Sequence, residues 1–253
     1  MSTLSGTGIL LSEFIGTAVL LLLGIGVSAN TTLRRSFGHG GDWLLISIGW
    51  GMAVFVGASV AWRSGAQLNP AVTLGLAITG TVPWNQVPWF FTAQVLGAMA
   101  GAVLAYLAYK KQFDTHDDPA GTGGVFFTGA SVRAPGWNVL SEAIGAFVLV
   151  YWVLQSSPFV AGTGDQPPQI GNAALGYAGV AFTVIAIGAS LGGPTGYAVN
   201  PARDLGPRLV YALLPIRGRG SADWGYSWVP VVGPFVGAAA AAGLFLATGG
   251  TDL

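Results

Sequence analysis

The chain has no cysteine. Disulfides, thiolate metal sites and cysteine nucleophiles are therefore excluded. Charge is almost as scarce. Only 8% of the 253 residues are charged, against about a quarter in ordinary soluble domains. Ten Lys+Arg balance ten Asp+Glu, so no net field recruits nucleic acid or an acidic partner. Histidine occurs only at His39 and His116, both in polar Gly/Asp-rich stretches far from other ligand-type residues. They read as solvated loop histidines, and neither a metal site nor a nucleophile–His–acid set is indicated. What is abundant is apolar: 52% of residues are hydrophobic and the mean hydropathy is +0.62. Too little charge remains to cover a water-facing surface, which argues against a soluble enzyme, a DNA-binding protein and a disordered chain.

A membrane helix needs about 20 mostly apolar residues. Six stretches meet that length: 9–27, 43–62, 87–108, 137–154, 170–191 and 226–247. The first is read as a span rather than a cleaved signal peptide, because no Lys or Arg precedes it and Glu13 interrupts it. Two shorter apolar stretches, 70–79 and 201–214, each follow a polar Gly-containing segment and each begin at an Asn-Pro-Ala tripeptide. Ten helical residues reach about 15 Å, half the hydrocarbon thickness. The polar stretch 109–136 reads as an exposed linker.

The two halves resemble each other. Ser12–Gly16 matches Ser141–Gly145, Asn69-Pro70-Ala71 matches Asn200-Pro201-Ala202, and Val95–Gly101 matches Val231–Gly237, in the same order. The spacing predicts a first repeat over 1–115 and a second over 130–253, each with three spans and a half-helix. Three spans is an odd number, so the second half enters from the opposite face, as an inverted repeat. The half-helices then meet near the midplane, where non-helical backbone is tolerated only beside protein or a water-filled cavity.

Asn69 and Asn200 are suited to cap these half-helices, with Pro70 and Pro201 at the first helical position. Their amides can also donate to a passing oxygen, and two helix N-termini add positive potential that disfavours cations. Arg203 stands in the first turn of the second half-helix, where a cation opposes the dipole. An intramembrane charge so placed is a functional candidate. Glu13 and Glu142 are paired intraspan carboxylates. Their symmetry favours a structural role, accepting backbone N–H groups from the polar segments, over a proton relay. Gly97/Gly101 and Gly233/Gly237 form GxxxG patterns expected to pack helices closely. Trp43, Trp62, Trp84, Trp89, Trp137, Trp152, Trp224 and Trp228 fall mostly near span ends, as an interfacial belt does, whereas Trp50 falls inside a span.

On Ser64–Thr73 (SGAQLNPAVT) and Gly196–Asp204 (GYAVNPARD) the chain resembles the major intrinsic proteins, or aquaporins, over nearly its whole length. Asp204, Tyr109, Arg208 and Pro230 are similar to the aquaglyceroporin branch of bacterial glycerol facilitators. The resemblance implies an all-α membrane protein with an aquaporin-like inverted repeat, six transmembrane helices and two re-entrant half-helices. It implies a selectivity filter of Trp50, Gly188, Tyr197 and Arg203, Gly188 leaving room for a carbon backbone. It also implies pore-lining carbonyls on Gly65, Ala66, Gln67, Tyr197, Ala198 and Val199. Three departures stand out. Gln67 occupies a place where the family commonly has His. The stretch from Trp50 to Asn69 is one residue short, so that Gly49 is the alternative occupant of the filter. Tyr197 stands where Phe is found in the best-known glycerol channel.

The function so implied is a passive channel for glycerol and similar small neutral solutes, with some water, excluding ions and protons. It is not an enzyme, needs no cofactor or metal, and is expected as a homotetramer in a plasma or inner membrane. The alternatives are a pore mainly for water, urea or hydrogen peroxide, and an ion-coupled secondary transporter. The resemblance puts both termini in the cytoplasm, with only Arg63 among the basic residues inside. The positive-inside rule alone selects the opposite orientation. We follow the resemblance, because Arg203 belongs to the filter and long loops weaken that rule.

Overall fold

A computed structural model describes residues 4–156 and 175–250. Its helices are α1 (Gly6–Thr32), α2 (Trp43–Val60), α3 (Pro70–Ile78), α4 (Val87–Ala108), the short α5 (Lys110–Asp114) and α6 (Gly123–Phe126), α7 (Pro135–Leu154), α8 (Tyr177–Leu191), α9 (Pro201–Leu213) and α10 (Val229–Ala247). No strand occurs among the described residues. Helices α1, α2, α4, α7 and α10 are each long and apolar enough to cross a bilayer. Helix α8 is apolar with 15 residues. Residues 170–174 of the expected fifth span lie outside the described residues.

Several boundaries differ from the apolar count by one to five residues, two of them for evident local reasons. Helix α1 continues to Thr32 through polar residues, because Ser28 and Thr31 return their hydroxyls to Gly24 O (3.2 Å) and Val27 O (3.1 Å) one turn back. The last helix begins at Val229 rather than 226, since Tyr226–Trp228 form a turn closed by Val229 N–H on Tyr226 O at 3.0 Å.

Packing follows a paired pattern. Helix α1 lies against α4 and α7 against α10; α1 touches α2 and α7 touches α8; α4 packs on α9 and α10 on α3; α2 and α8 pack on each other. Each contact in one half has a counterpart in the other. Lipid supplies no hydrophobic drive between helices, so close approach of small residues must do so. A Cβ at Gly101 would lie 2.3 Å from Ala18 O, and one at Gly237 only 2.1 Å from Ala143 O. The paired glycines thus let α4 and α10 touch the backbones of α1 and α7. Large apolar side chains such as Leu11, Leu44, Leu107 and Val236 face outward, as lipid contact requires.

Candidate functional site

Helices α3 and α9 end on each other at their N-termini. Asn69 Oδ1 accepts Ala71 N–H at 2.9 Å; Asn200 Oδ1 accepts Ala202 N–H at 3.0 Å and Arg203 N–H at 3.1 Å. Pro70 and Pro201 follow as first helical residues, with Ala71 and Ala202 buried behind them. The amide nitrogens cross between halves: Asn69 Nδ2 donates to Val199 O and Asn200 Nδ2 to Leu68 O, both at 2.9 Å. Each amide therefore spends one proton locking the loops and keeps a second one without a partner among the described residues.

The segments before each Asn carry matching backbone strain. Gly65 and Gly196 have φ of 86° and 78°; Ala66 and Leu68 have 53° and 52°; Tyr197 and Val199 both have 40°. Left-handed φ is uncommon for non-glycine residues and an outlier for a β-branched one such as Val199. Strain of this kind persists only when the surroundings over-determine it, and two buried carboxylates do so here. Glu13 accepts Gln67 N–H (3.0 Å), Leu68 N–H (2.7 Å), Ser64 Oγ (2.6 Å) and Gln94 Nε2 (3.0 Å). Glu142 accepts Ala198 N–H (2.9 Å), Val199 N–H (2.8 Å) and Thr195 Oγ1 (2.6 Å). Every partner is a donor, and neither glutamate lines the cavity described next.

A cavity of about 260 Å³ runs between the two loops. At one end stand Trp50, Tyr197 and Arg203; at the other, Trp152, Ser156 and Tyr177. Asn69 and Asn200 line its middle. Its lining combines apolar residues, including Leu20, Val54, Val72, Leu149 and Val184, with the strained loop residues Gly65, Ala66 and Gln67 and Tyr197, Ala198 and Val199. Such a passage offers both hydrocarbon and hydrogen-bonding groups.

At the first end the Arg203 guanidinium lies 3.8 Å from the Trp50 ring centroid and donates from Nη1 to Phe126 O at 3.1 Å. It pairs with no carboxylate among the described residues. Trp50, not Gly49, stands there: its Nε1 donates to Ser28 Oγ at 3.1 Å, and a Cβ at Gly24 would lie 2.3 Å from its ring. Gly49 instead faces Val27.

Two expectations are corrected by this geometry, those for Gly188 and Trp152. Gly188 does not line the cavity: a Cβ there would lie 2.8 Å from Tyr197 Cζ, so the space it frees holds the Tyr197 ring rather than solute. Val199 does line the cavity; its carbonyl also accepts the Asn69 amide, which leaves it one lone pair for anything else. Trp152 turns inward to the cavity instead of joining the exposed belt of Trp62, Trp84, Trp89, Trp137, Trp224 and Trp228. The loop histidines make backbone contacts: His116 Nδ1 accepts Arg34 N–H at 3.2 Å, and His39 Nδ1 lies 3.1 Å from Thr32 O.

Asp204 has a role that sequence did not disclose. It is fully buried and takes Thr128 N–H (2.8 Å), Thr128 Oγ1 (2.7 Å) and Arg208 Nε (2.7 Å). Arg208, also fully buried, donates onward to Thr128 O (2.9 Å) and Ala222 O (2.7 Å). The pair pins the 126–128 segment whose Phe126 carbonyl holds Arg203. The i,i+4 spacing of an acid and a base on one half-helix was the available signal.

A family model described as "Major intrinsic protein" matches residues 1–245. The chain is 47% identical over 226 residues to the "Glycerol uptake facilitator protein" of Bacillus subtilis, covering 89% of this chain and 79% of that one. It is 44% identical over 237 residues to "Glycerol uptake facilitator protein 3" of Lactiplantibacillus plantarum, covering 93% and 95%. Among solved structures it resembles the aquaglyceroporin from Plasmodium falciparum, with a TM-score of 0.81, 30% identity, and 95% and 96% of the two chains covered. Crossed Asn-Pro-Ala half-helices, the glutamate-held loops and these likenesses agree: the chain belongs to the major intrinsic protein family.

Proposed function

We propose that the chain is a passive channel for glycerol and similar small neutral solutes, admitting some water. The observation that carries this reading is the mixed lining of the cavity, apolar side chains together with the two strained loops, Asn69, Asn200 and Arg203. A polyol presents the matching two kinds of group, hydroxyls and CH groups. Tyr197 and the part of the Trp50 ring that Arg203 leaves uncovered offer aromatic surface to the CH groups, while Arg203 and the amide protons of Asn69 and Asn200 that lack a partner among the described residues meet the hydroxyl oxygens. The carbonyls of Gly65, Ala66 and Gln67, and of Tyr197 and Ala198, accept the protons that the hydroxyls donate. The names of the relatives support glycerol as the solute.

Ions are disfavoured by the same parts. Arg203 is a fixed cation at the cavity's end, and two helix N-termini point at its middle. The glutamates are occupied holding backbone, which leaves no carboxylate for a coupling ion along the passage among the described residues. The halves act as inverted repeats, 1–115 and 130–253, in a multi-pass plasma or inner membrane protein with cytoplasmic termini. The channel assembles as a homotetramer.

The test is stopped-flow light scattering on proteoliposomes, with glycerol and an impermeant osmolyte in parallel. Glycerol permeability well above that of empty vesicles is expected. A rise in water flow alone would overturn the glycerol reading in favour of a water pore.

A further inference from the structure

Trp43 was expected in the interfacial belt, and its side chain is partly exposed. Its inner edge does something the other exposed tryptophans do not. Its Nε1 donates to Gly188 O at 2.7 Å, across 145 residues of sequence. Gly188 lies in the last turn of α8, where carbonyls lack helical partners, so the indole satisfies one of them. The Trp43 ring meets the Tyr197 ring edge-on, centroids 5.7 Å apart at 81°.

Tyr197 sits in a slot beside Ser47, whose hydroxyl donates to Trp43 O at 2.9 Å. The Tyr197 hydroxyl is buried and makes no hydrogen bond within 3.5 Å among the described residues, with the Ser47 hydroxyl as a polar neighbour. The Tyr197 backbone is left-handed at φ 40°. The floor is bare backbone: a Cβ at Gly188 would lie 2.8 Å from Tyr197 Cζ, and one at Gly192 2.6 Å from Tyr197 Cδ1 and 2.7 Å from Trp43 Cζ2. The same Cβ at Gly188 would lie 3.0 Å from Ser47 Oγ. Shape and the neighbouring Ser47 hydroxyl therefore locate the ring, and Trp43 is the wall bonded to the floor.

We propose that Trp43 is a positioning residue for solute size selection, holding the Tyr197 ring against the passage through its bond to the Gly188 carbonyl. The proposal rests on the reading of the cavity as a solute pore. Trp43→Phe keeps an aromatic edge and removes the N–H. The ring of Tyr197 then gains room toward the vacated indole, and the passage widens.

The experiment uses the full chain in vesicles and compares permeability to glycerol and to erythritol, a four-carbon polyol. Trp43→Phe is expected to raise the erythritol-to-glycerol ratio about fivefold, the weight of one hydrogen bond. Ser47→Ala removes the hydroxyl beside the Gly188 floor and raises the ratio in the same direction, by less; it decides the matter if Trp43→Phe fails to reach the membrane. In a Tyr197→Ala background, Trp43→Phe adds nothing, because the coupled partner is gone. Trp137→Phe, on the exposed belt, leaves the ratio unchanged. Wild-type ratios in Ser47→Ala and in membrane-inserted Trp43→Phe would overturn the proposal, as would an equal Trp43→Phe effect with Tyr197 removed. A wild-type chain that passes no glycerol would instead sink the pore reading, and that is read before any variant.

Discussion

Replacing Glu142 tests how the strained loop of the second half is held. Its carboxylate takes the N–H groups of Ala198 and Val199 and the hydroxyl of Thr195, all at 2.9 Å or less. Those two N–H groups belong to the segment with φ of 40° at Tyr197 and Val199. Glu142→Gln keeps one acceptor oxygen and turns an amide donor toward the other N–H. One buried donor is orphaned, at a cost of about 1–3 kcal/mol. Glu142→Leu orphans both, about 2–6 kcal/mol; the Thr195 hydroxyl can turn to another acceptor. For a chain of this size, each kcal/mol lowers the unfolding midpoint by about 2–4 °C. The assay is thermal unfolding of the detergent-solubilised channel, followed by glycerol flux in vesicles. The expected order is wild type, then Glu142→Gln, then Glu142→Leu, in both stability and flux. Glu142→Leu with a wild-type midpoint and wild-type flux would refute the reasoning. So would Glu142→Gln with wild-type stability and abolished flux, since that pattern belongs to a proton-handling group.

Further outcomes follow from the other end of the cavity. Gly24→Ala places a methyl 2.3 Å from the Trp50 ring; overpacking of about 1–3 kcal/mol and a shift in the glycerol-to-water permeability ratio are expected by the same assays. Asp204→Asn leaves Arg208 without its buried counter-charge. Loss of such a partner costs about 3–5 kcal/mol, visible as a lowered midpoint. Arg203→Lys retains the charge but loses the planar group stacked on Trp50 and the bond to Phe126 O. Glycerol flux is expected to fall severalfold, with the midpoint nearly unchanged.

Much of this was legible because the repeat imposes itself on the residues. Two Asn-Pro-Ala tripeptides marked the half-helix starts at Pro70 and Pro201, since capping and the missing proline N–H are local chemistry. The glutamate pairing followed from position alone, and both side chains reach the matching N–H groups. What stayed hidden depends on contacts between distant segments. Gly188 reads as an open place in a filter, and only the Tyr197 ring lying over it shows what its missing side chain makes room for. Trp43 and Trp152 sit near span ends like their neighbours, but their rings turn inward through packing between α2, α7 and α8. The Val199 carbonyl is occupied by an amide 130 residues away in sequence. Spacing carries no signal of such a crossing.

The most direct test of the central claim is glycerol flux into proteoliposomes, with proton and sodium gradients imposed and then collapsed by ionophores. A passive pore between the two half-helices predicts flux proportional to the glycerol gradient and unchanged by the ionophores. Flux that stops when a gradient collapses, or that never exceeds the empty-vesicle rate, would contradict it.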